Sequence, residues 1–282
     1  MKNQRRDRIV RYLGNNDQWS LSLLQGKDIV EEARLLHDDS PIATKVLGEA
    51  LLACAFLADY LKGKGGLVNV QVDAKPGVGR IIAIANNKGE VKGYVANPKT
   101  EEPLDGGSLA LLVDEGNGHP FSSGLNFAGS RLDKAINRYF TNSAQRLAYM
   151  RIDIVLDEDG RCIEASGIYF QGLPGASISE YYDKKHELDS LPTLSDLSTQ
   201  RILNLVFGKD RKKQSSRDLY FRCNCSQEKG FYTLASLPEE ELKEMIALGE
   251  EVTITCGCCA KQYHYSIPEL EKALESKAIK KA

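Results

Sequence analysis

The spacing of apolar residues predicts two helices near the start of the chain. Helical spacing runs over Asp28–His37, and a more apolar helix follows, with Ser40 as its N-cap and Pro41 at its first position. Glycines from Gly63 onward end this second run. Its longest apolar stretch, LLACAFLADYL, is shorter than the roughly 20 residues that cross a bilayer. We therefore interpret it as the core helix of a soluble, cytoplasmic protein with no membrane partner.

Strict alternation of apolar and polar residues predicts three strands after these helices. Turn-forming residues separate the strands LVNVQVDA, GRIIAIAN and EVKGYVANP, so an antiparallel meander is expected. A further helix is predicted to open at Ser130, and a hairpin is predicted around the turn DEDG at residues 157–160. The sequence GLPGAS, residues 172–177, is rich in glycine and proline and marks the predicted end of this body.

Residues 178–221 have a different pattern. Short helical stretches with apolar faces, such as TQRILNLVF, are interrupted by charged and turn-forming residues. Helices this short are marginal without packing partners. The segment is therefore either an ordinary helical connector or a metastable segment that docks on the body and can come loose.

Residues 222–282 are predicted to form a separate small unit. Ser236 and Glu239 have the spacing of a capping box, and Ser266 and Glu269 repeat that spacing before the last helix. Alternation in EVTITC and KQYHYS adds two short strands. A unit of this size buries too little apolar surface to be stable by itself, so it needs a covalent or metal staple.

Five of the seven cysteines lie in two clusters within this unit. Cys223 and Cys225 form a CxC pair, and Cys256 and Cys259 form a CxxC pair about thirty residues later. Four thiolates on two turns can surround Zn²⁺ tetrahedrally at about 2.3 Å. Zinc binding at such a site contributes about 10–16 kcal/mol, and that energy is folding energy. We therefore predict one Zn²⁺ per chain, with a unit that is ordered with metal and largely disordered without it.

The other cysteines and one histidine leave alternatives around this site. Cys258 lies inside the CGCC sequence and could replace Cys259 as a ligand, but the two-residue spacer is the commoner one, so Cys258 is interpreted as an extra thiol. His264 is a possible fourth ligand, but structural sites close at four ligands and four cysteines are already present, so we expect it to be an ordinary residue of a strand. Cys54 and Cys162 stand apart, and Cys54 is expected to be a buried small hydrophobe.

The net charge and the motifs argue against several classes of protein function. The formal net charge is −2, whereas nucleic-acid-binding proteins usually carry a basic excess. A zinc-ribbon nucleic-acid-binding protein is the alternative, through the basic run at 208–217 and the aromatic YHY, although a solvated linker is the favoured use of that run. The CxxC lies between strands, which disfavours a thiol–disulfide oxidoreductase. No Walker A spacing is present, so ATP binding is not expected. No grouping of histidine, serine or carboxylate residues suggests hydrolysis, so we expect no enzyme activity.

These motifs resemble the redox-regulated 33-kilodalton heat-shock chaperone family, the 33 kDa chaperonins. The C-terminal CxC and CxxC pairs are the most specific part of the resemblance, and GRIIAIANNKGEVKGYVANP, YFTNSAQ and FQGLPGA add to it over nearly the whole chain. The chain departs from the family pattern in EASGIYFQ, which has Gly167 where the family often has a glycine pair, and in the additional Cys258.

The resemblance implies a fold, a mechanism and partners. The fold would be α+β, with a larger N-terminal α/β body of antiparallel sheet and packed helices at 1–177, a helical linker at 178–221 and a small C-terminal zinc-binding module at 222–282. Oxidation would form the disulfides Cys223–Cys225 and Cys256–Cys259 and release zinc. The loosened protein would hold unfolding client proteins without ATP, and it would form a homodimer when oxidised.

Overall fold

The chain forms two compact units that mix helices with mainly antiparallel sheets. The computed structural model describes residues 7–74, 76–117, 119–142 and 144–281. The division between the units falls between Arg222 and Cys223. The mixture confirms the predicted α+β class. The separate linker at 178–221 stays a prediction, because those residues belong to the first compact unit.

The strands and helices are numbered in chain order. The strands of the first unit are β1 Arg8–Gly14, β2 Trp19–Gln25, β3 Leu67–Ala74, β4 Gly79–Asn86, β5 Glu90–Val95, β6 Gly107–Asp114, β7 Phe121–Phe127, β8 Ala148–Leu156, β9 Cys162–Gly172, β10 Arg211–Asp218 and β11 Tyr220–Phe221. Its helices are α1 Lys27–His37, α2 Pro41–Asp59, α3 Leu132–Asn142, α4 Ile178–Asp189 and α5 Thr199–Phe207, with a 3-10 turn at Leu194–Asp196. The second unit contains α6 Gln227–Ser236, α7 Glu239–Leu248, β12 Val252–Thr255, β13 Gln262–Tyr265 and α8 Ile267–Lys281.

The first sheet has the strand order β10-β1-β2-β9-β8, and each neighbouring pair is antiparallel. β8 and β9 form the predicted hairpin. Strands β1 and β2 were not predicted from the sequence. Asn15, Asn16 and Asp17 join these two strands with φ values of 51°, 55° and 61°. Asparagine and aspartate tolerate this left-handed conformation better than most residues, so the NND sequence was the available turn signal.

The second sheet has the order β11-β5-β4-β3-β6-β7. Its β3-β4-β5 portion is the predicted antiparallel meander. β6 and β7 extend it and were not predicted. Alternate residues of β3 are buried, which is the burial expected of a strand with one face in a core.

Helix α2 lies at the centre of the first unit and contacts both sheets. Ser40 Oγ accepts a hydrogen bond from the Ala43 N–H at 3.2 Å, and Pro41 opens the helix, which confirms the predicted N-terminus. Among the residues that the structure describes, α2 is the one helix long and apolar enough to cross a bilayer. Of its apolar stretch of 18 residues, 72% is buried inside the protein. The burial agrees with the interpretation of α2 as a core helix.

Residues 178–222 contain strands as well as the expected helices. β10 pairs antiparallel with β1 from Arg211 to Asp218, with one shift of register between Lys213 and Ser215, and forms the edge of the first sheet. This corrects the expectation that residues 208–217 are a solvated linker. Because β10 has the polar sequence RKKQSSRD, backbone hydrogen bonds rather than an apolar face attach it, and no alternation marks it in the sequence.

Helices α4 and α5 cover one face of the first sheet. Their apolar side chains and those of the sheet form a second hydrophobic cluster, separate from the core around α2. The sheet contributes Trp19, Leu21, Tyr149, Ile168 and Phe170, and the covering segment contributes Tyr181, Leu188, Leu194, Ile202, Leu203, Val206 and Phe207.

The second unit builds a small core of its own around Leu234, Leu242, Tyr265 and Leu270. Glu269 accepts hydrogen bonds from the N–H and the hydroxyl of Ser266, so half of the predicted capping box at α8 is present. The box predicted at Ser236 is wrong. Ser236 ends α6, and its hydroxyl donates to the Thr233 carbonyl, while α7 begins after Pro238.

Candidate metal centre

Two turns of the second unit carry the clustered cysteines. Cys223 and Cys225 lie between β11 and α6, and Ser226 ends this turn by capping α6 through a hydrogen bond from the Lys229 N–H at 3.2 Å. Cys256 and Cys259 lie on the turn that joins β12 to β13.

Backbone hydrogen bonds close the second of these turns tightly. The Cys256 N–H donates to the Lys261 carbonyl at 2.9 Å, and the Ala260 N–H donates back to the Cys256 carbonyl at 2.8 Å. Ala260 has a φ of 55°, in the left-handed region that disfavours a residue with a Cβ. The turn that holds the CxxC pair is therefore strained at one position.

The four sulfurs of Cys223, Cys225, Cys256 and Cys259 form one cluster, with every pair within 4.8 Å. The Sγ atoms of Cys223 and Cys256 are 3.7 Å apart, and those of Cys225 and Cys259 are 3.3 Å apart. Four sulfurs bound tetrahedrally at about 2.3 Å from one ion would lie about 3.8 Å from one another. The four cysteines are therefore positioned to hold a metal ion, and an all-sulfur donor set suits zinc or an iron–sulfur centre.

The structure also places the residues that the sequence left as alternatives. Within the residues described, the clustered set includes Cys259 and does not include Cys258, which is half-buried on the same turn. His264 is exposed on β13 and lies outside the cluster, and its Nδ1 is 2.9 Å from the Thr253 hydroxyl of β12.

Tyr263 is a neighbour of the cluster that was not predicted from the sequence. Its hydroxyl donates a hydrogen bond to the Cys225 Sγ at 3.0 Å. The alternation in QYHY was the available signal, because it puts Tyr263 and Tyr265 on the buried face of β13. The sequence alone did not show that this face turns toward a cysteine.

The sulfurs have unequal acidities. Burial raises the pKa of Cys225, but the hydrogen bonds from Tyr263 and the neighbouring thiols outweigh it and bring the pKa to about 7. Burial raises the pKa of Cys259 to about 12, and the thiols around it act in the same direction. A bound divalent cation would reverse the second shift, because a coordinating thiol is deprotonated outright. Such an ion would let four thiolates share one small volume.

The other two cysteines belong to the interior of the first unit. Cys54 is fully buried, and its thiol lies 3.2 Å from the Val68 carbonyl oxygen, as expected for a small core residue. Cys162 is also buried. Burial raises the pKa of both thiols to about 12, so neither carries appreciable thiolate at neutral pH.

Comparison with known proteins assigns the chain. The family model described as Hsp33 protein matches residues 7–266. The chain belongs to the Hsp33 family. This confirms the resemblance carried by the cysteine pairs and identifies the chain with a family of chaperones.

The relatives match the Hsp33 chain almost from end to end. A 33 kDa chaperonin of Streptococcus suis is 30% identical over 286 residues, which are 95% of this chain and 99% of the relative. A 33 kDa chaperonin of Streptococcus pneumoniae is 30% identical over 290 residues, which are 96% of this chain and 100% of the relative. The crystal structure of the Hsp33 homolog of Thermotoga maritima shares the fold, with a TM-score of 0.83 over 97% of this chain and 99% of that chain at 24% identity.

Proposed function

We propose that this Hsp33 chain is a redox-regulated chaperone of the cytoplasm that holds unfolding proteins without ATP. The observation that carries the proposal is the four-cysteine cluster in a unit with a small apolar core. In the reduced state, Cys223, Cys225, Cys256 and Cys259 would hold one Zn²⁺. The ion would supply a large part of the folding energy of residues 223–282, about 10–16 kcal/mol for a structural zinc site.

Oxidation of the cluster is the proposed switch. A thiolate attacks hydrogen peroxide, the O–O bond breaks, and a sulfenic acid and hydroxide form. A second thiolate then displaces hydroxide from that sulfur and completes the disulfide. Two peroxide molecules thus convert four thiolates into the disulfides Cys223–Cys225 and Cys256–Cys259. Because disulfide sulfurs are poor zinc ligands, the ion leaves, and the second unit loses the metal that stabilises its fold.

The segment before the first cysteine is attached to the second sheet by backbone contacts. The Tyr220 N–H donates to the Gly89 carbonyl at 2.9 Å, and the Arg222 N–H donates to the Val91 carbonyl at 2.8 Å. Cys223 follows directly in sequence. The second unit therefore begins one residue after the last of these hydrogen bonds. We propose that, when the second unit loses its order, residues 178–222 loosen as well.

The face of the first sheet that α4 and α5 cover suits the capture of unfolded chains. The rings of Trp19 and Phe170 stack with centroids 4.8 Å apart, and Tyr181 of α4 stacks on Phe170 at 6.4 Å. Aromatic side chains bury roughly 150–250 Å² each, so release of α4 and α5 would expose on the order of 500 Å² of apolar sheet surface. Contiguous patches of this size mark interaction sites. We propose this sheet face as the site for clients, with dimerisation of the oxidised chain as a further means of covering it.

Zinc release and client capture, measured in parallel, test the proposal. Reduced protein is expected to contain one Zn²⁺ per chain and to suppress aggregation of a thermally unfolded client poorly. Peroxide should release the zinc, as a colour reagent reports, and light scattering of the client should then fall without nucleotide. Zinc loss without a gain in client capture would refute the switch.

Cysteine variants supply the matched control. Cys223→Ser and Cys256→Ser are expected to bind zinc poorly and to lose control by oxidant. Cys258→Ser should keep one zinc per chain and the wild-type response, because its thiol is not among the four that lie within 4.8 Å of one another. Loss of zinc in the Cys258 variant would assign it a ligand role in place of Cys259.

A further inference from the structure

One sulfur of the cluster receives a hydrogen bond from outside the cysteines. The Tyr263 hydroxyl donates to the Cys225 Sγ at 3.0 Å. Tyr263 is only 7% exposed and belongs to the core of the second unit. Its hydroxyl is therefore held by a packed ring, rather than by a flexible surface side chain.

The β12–β13 hairpin fixes where the Tyr263 hydroxyl points. Tyr263 pairs with Ile254 and Tyr265 pairs with Val252. Both tyrosines lie on the buried face of β13, but their hydroxyl groups have different partners. The Tyr265 hydroxyl donates to the Gln227 carbonyl at 2.7 Å, which is a contact to backbone and not to sulfur. The hairpin thus carries two similar tyrosines, of which one donates to the sulfur cluster and the other to a backbone carbonyl.

We propose that Tyr263 is a positioning residue that orients Cys225 and lowers the reactivity of its sulfur toward peroxide. The inference rests on the proposed function, in which these thiolates bind zinc and are oxidised. A hydrogen bond to a thiolate draws charge from the sulfur lone pair that must attack the peroxide oxygen. Attack forms an S–O bond, breaks the O–O bond and releases hydroxide, so the sulfur loses negative charge and the hydrogen bond weakens on the way. The Tyr263 hydroxyl therefore stabilises the reduced state more than the transition state.

The variants Tyr263→Phe and Tyr265→Phe separate this role from a purely structural one. Each removes one hydroxyl from the same strand, but only the first removes a donor to sulfur. The zinc-loaded full-length chain is treated with peroxide, and zinc release is followed at several peroxide concentrations. We expect Tyr263→Phe to raise the second-order rate constant about threefold to tenfold. The variant loses a hydrogen bond to a charged sulfur, and a Brønsted slope of about 0.4–0.5 means that about this fraction of the hydrogen-bond energy appears in the activation free energy. Tyr265→Phe should leave that rate constant within about twofold of wild type.

Cobalt replacement adds a readout that loss of stability alone does not move. In the Co²⁺-loaded chain, the sulfur-to-metal charge-transfer absorption reports the electron density on the thiolates. Tyr263→Phe is expected to shift this absorption to longer wavelength, and Tyr265→Phe is expected to leave it in place. Peroxide rates and spectra that are equal in the two variants would overturn the inference.

The failure of this inference is distinguishable from failure of the proposed function. If wild-type protein carries no zinc, or releases it without gaining client capture, the proposed function fails. If wild type switches as proposed while Tyr263→Phe reacts like wild type, only the role of Tyr263 is lost. A Tyr263→Phe variant that takes up no metal, while Tyr265→Phe is loaded normally, would also overturn the inference, because the hydroxyl would then be needed to form the site rather than to lower the reactivity of its sulfur.

Discussion

The docking of α5 on the first sheet can be weakened without touching a cysteine. Leu203 lies on the buried face of α5 and is 3% exposed within the second hydrophobic cluster. Leu205 lies two residues further along the same helix and is 36% exposed. Leu203→Asp therefore places a carboxyl group in the apolar contact, and Leu205→Asp makes the same chemical change at the helix surface.

The size of the effect follows from the buried side chain. Removing a buried leucine side chain costs about 2–5 kcal/mol, and a carboxyl group without a partner in the same place costs at least as much. At about 1.4 kcal/mol per factor of ten, the equilibrium between docked and released α5 should shift by roughly 30-fold to several thousandfold toward release. The four cysteines are not altered, so the second unit should retain its metal.

The assay compares reduced proteins. We expect reduced Leu203→Asp to suppress aggregation of a thermally unfolded client without peroxide, to show faster amide hydrogen exchange over residues 199–207, and to keep one zinc per chain. Reduced Leu205→Asp should behave as wild type. If the aspartate variant does not fold, Leu203→Ala applies the same perturbation at the lower end of the range. Rapid exchange in α5 with no gain in client capture would refute the idea that α5 covers the client site.

Two further predictions concern local strain and a buried acid. Ala260→Gly should relieve the left-handed φ of 55° beside Cys259 and strengthen metal retention by about 1 kcal/mol, or about fivefold, in competition with a chelator; faster metal loss than wild type would contradict this. Asp39 is buried, and desolvation raises its pKa from 3.8 to about 7. Its contribution to the unfolding free energy is therefore full below about pH 4 and is lost as pH rises through 7, by up to roughly 4 kcal/mol. Asp39→Asn should remove this fall in the free energy of unfolding, which urea denaturation measures between pH 4.5 and 8. Parallel curves of unfolding free energy against pH for the variant and wild type would disprove the prediction.

Some parts of the fold could be predicted because a local pattern reports them. The β3-β4-β5 meander alternates residue by residue, the β8–β9 hairpin brackets a turn sequence, and Ser40 precedes a continuous apolar helix. In each case, the elements that contact one another are close in sequence. The strands β1 and β10 fail this condition, because they pair across about 200 residues and β10 carries polar side chains on both faces.

The fold class, the family and the cysteine pairs that could bind a metal were all predictable from the order of the amino acids. Residue type and spacing are enough there, since thiols within a short turn are brought together by the local chain. The surroundings of those thiols and the packing of residues 178–222 emerge only when the chain is folded. The hydrogen bond from Tyr263 to Cys225, the edge strand β10 and the apolar sheet face under α4 and α5 all join residues distant in sequence. Their energy comes from packing and backbone pairing in three dimensions, which leaves no periodic trace in the order of the amino acids.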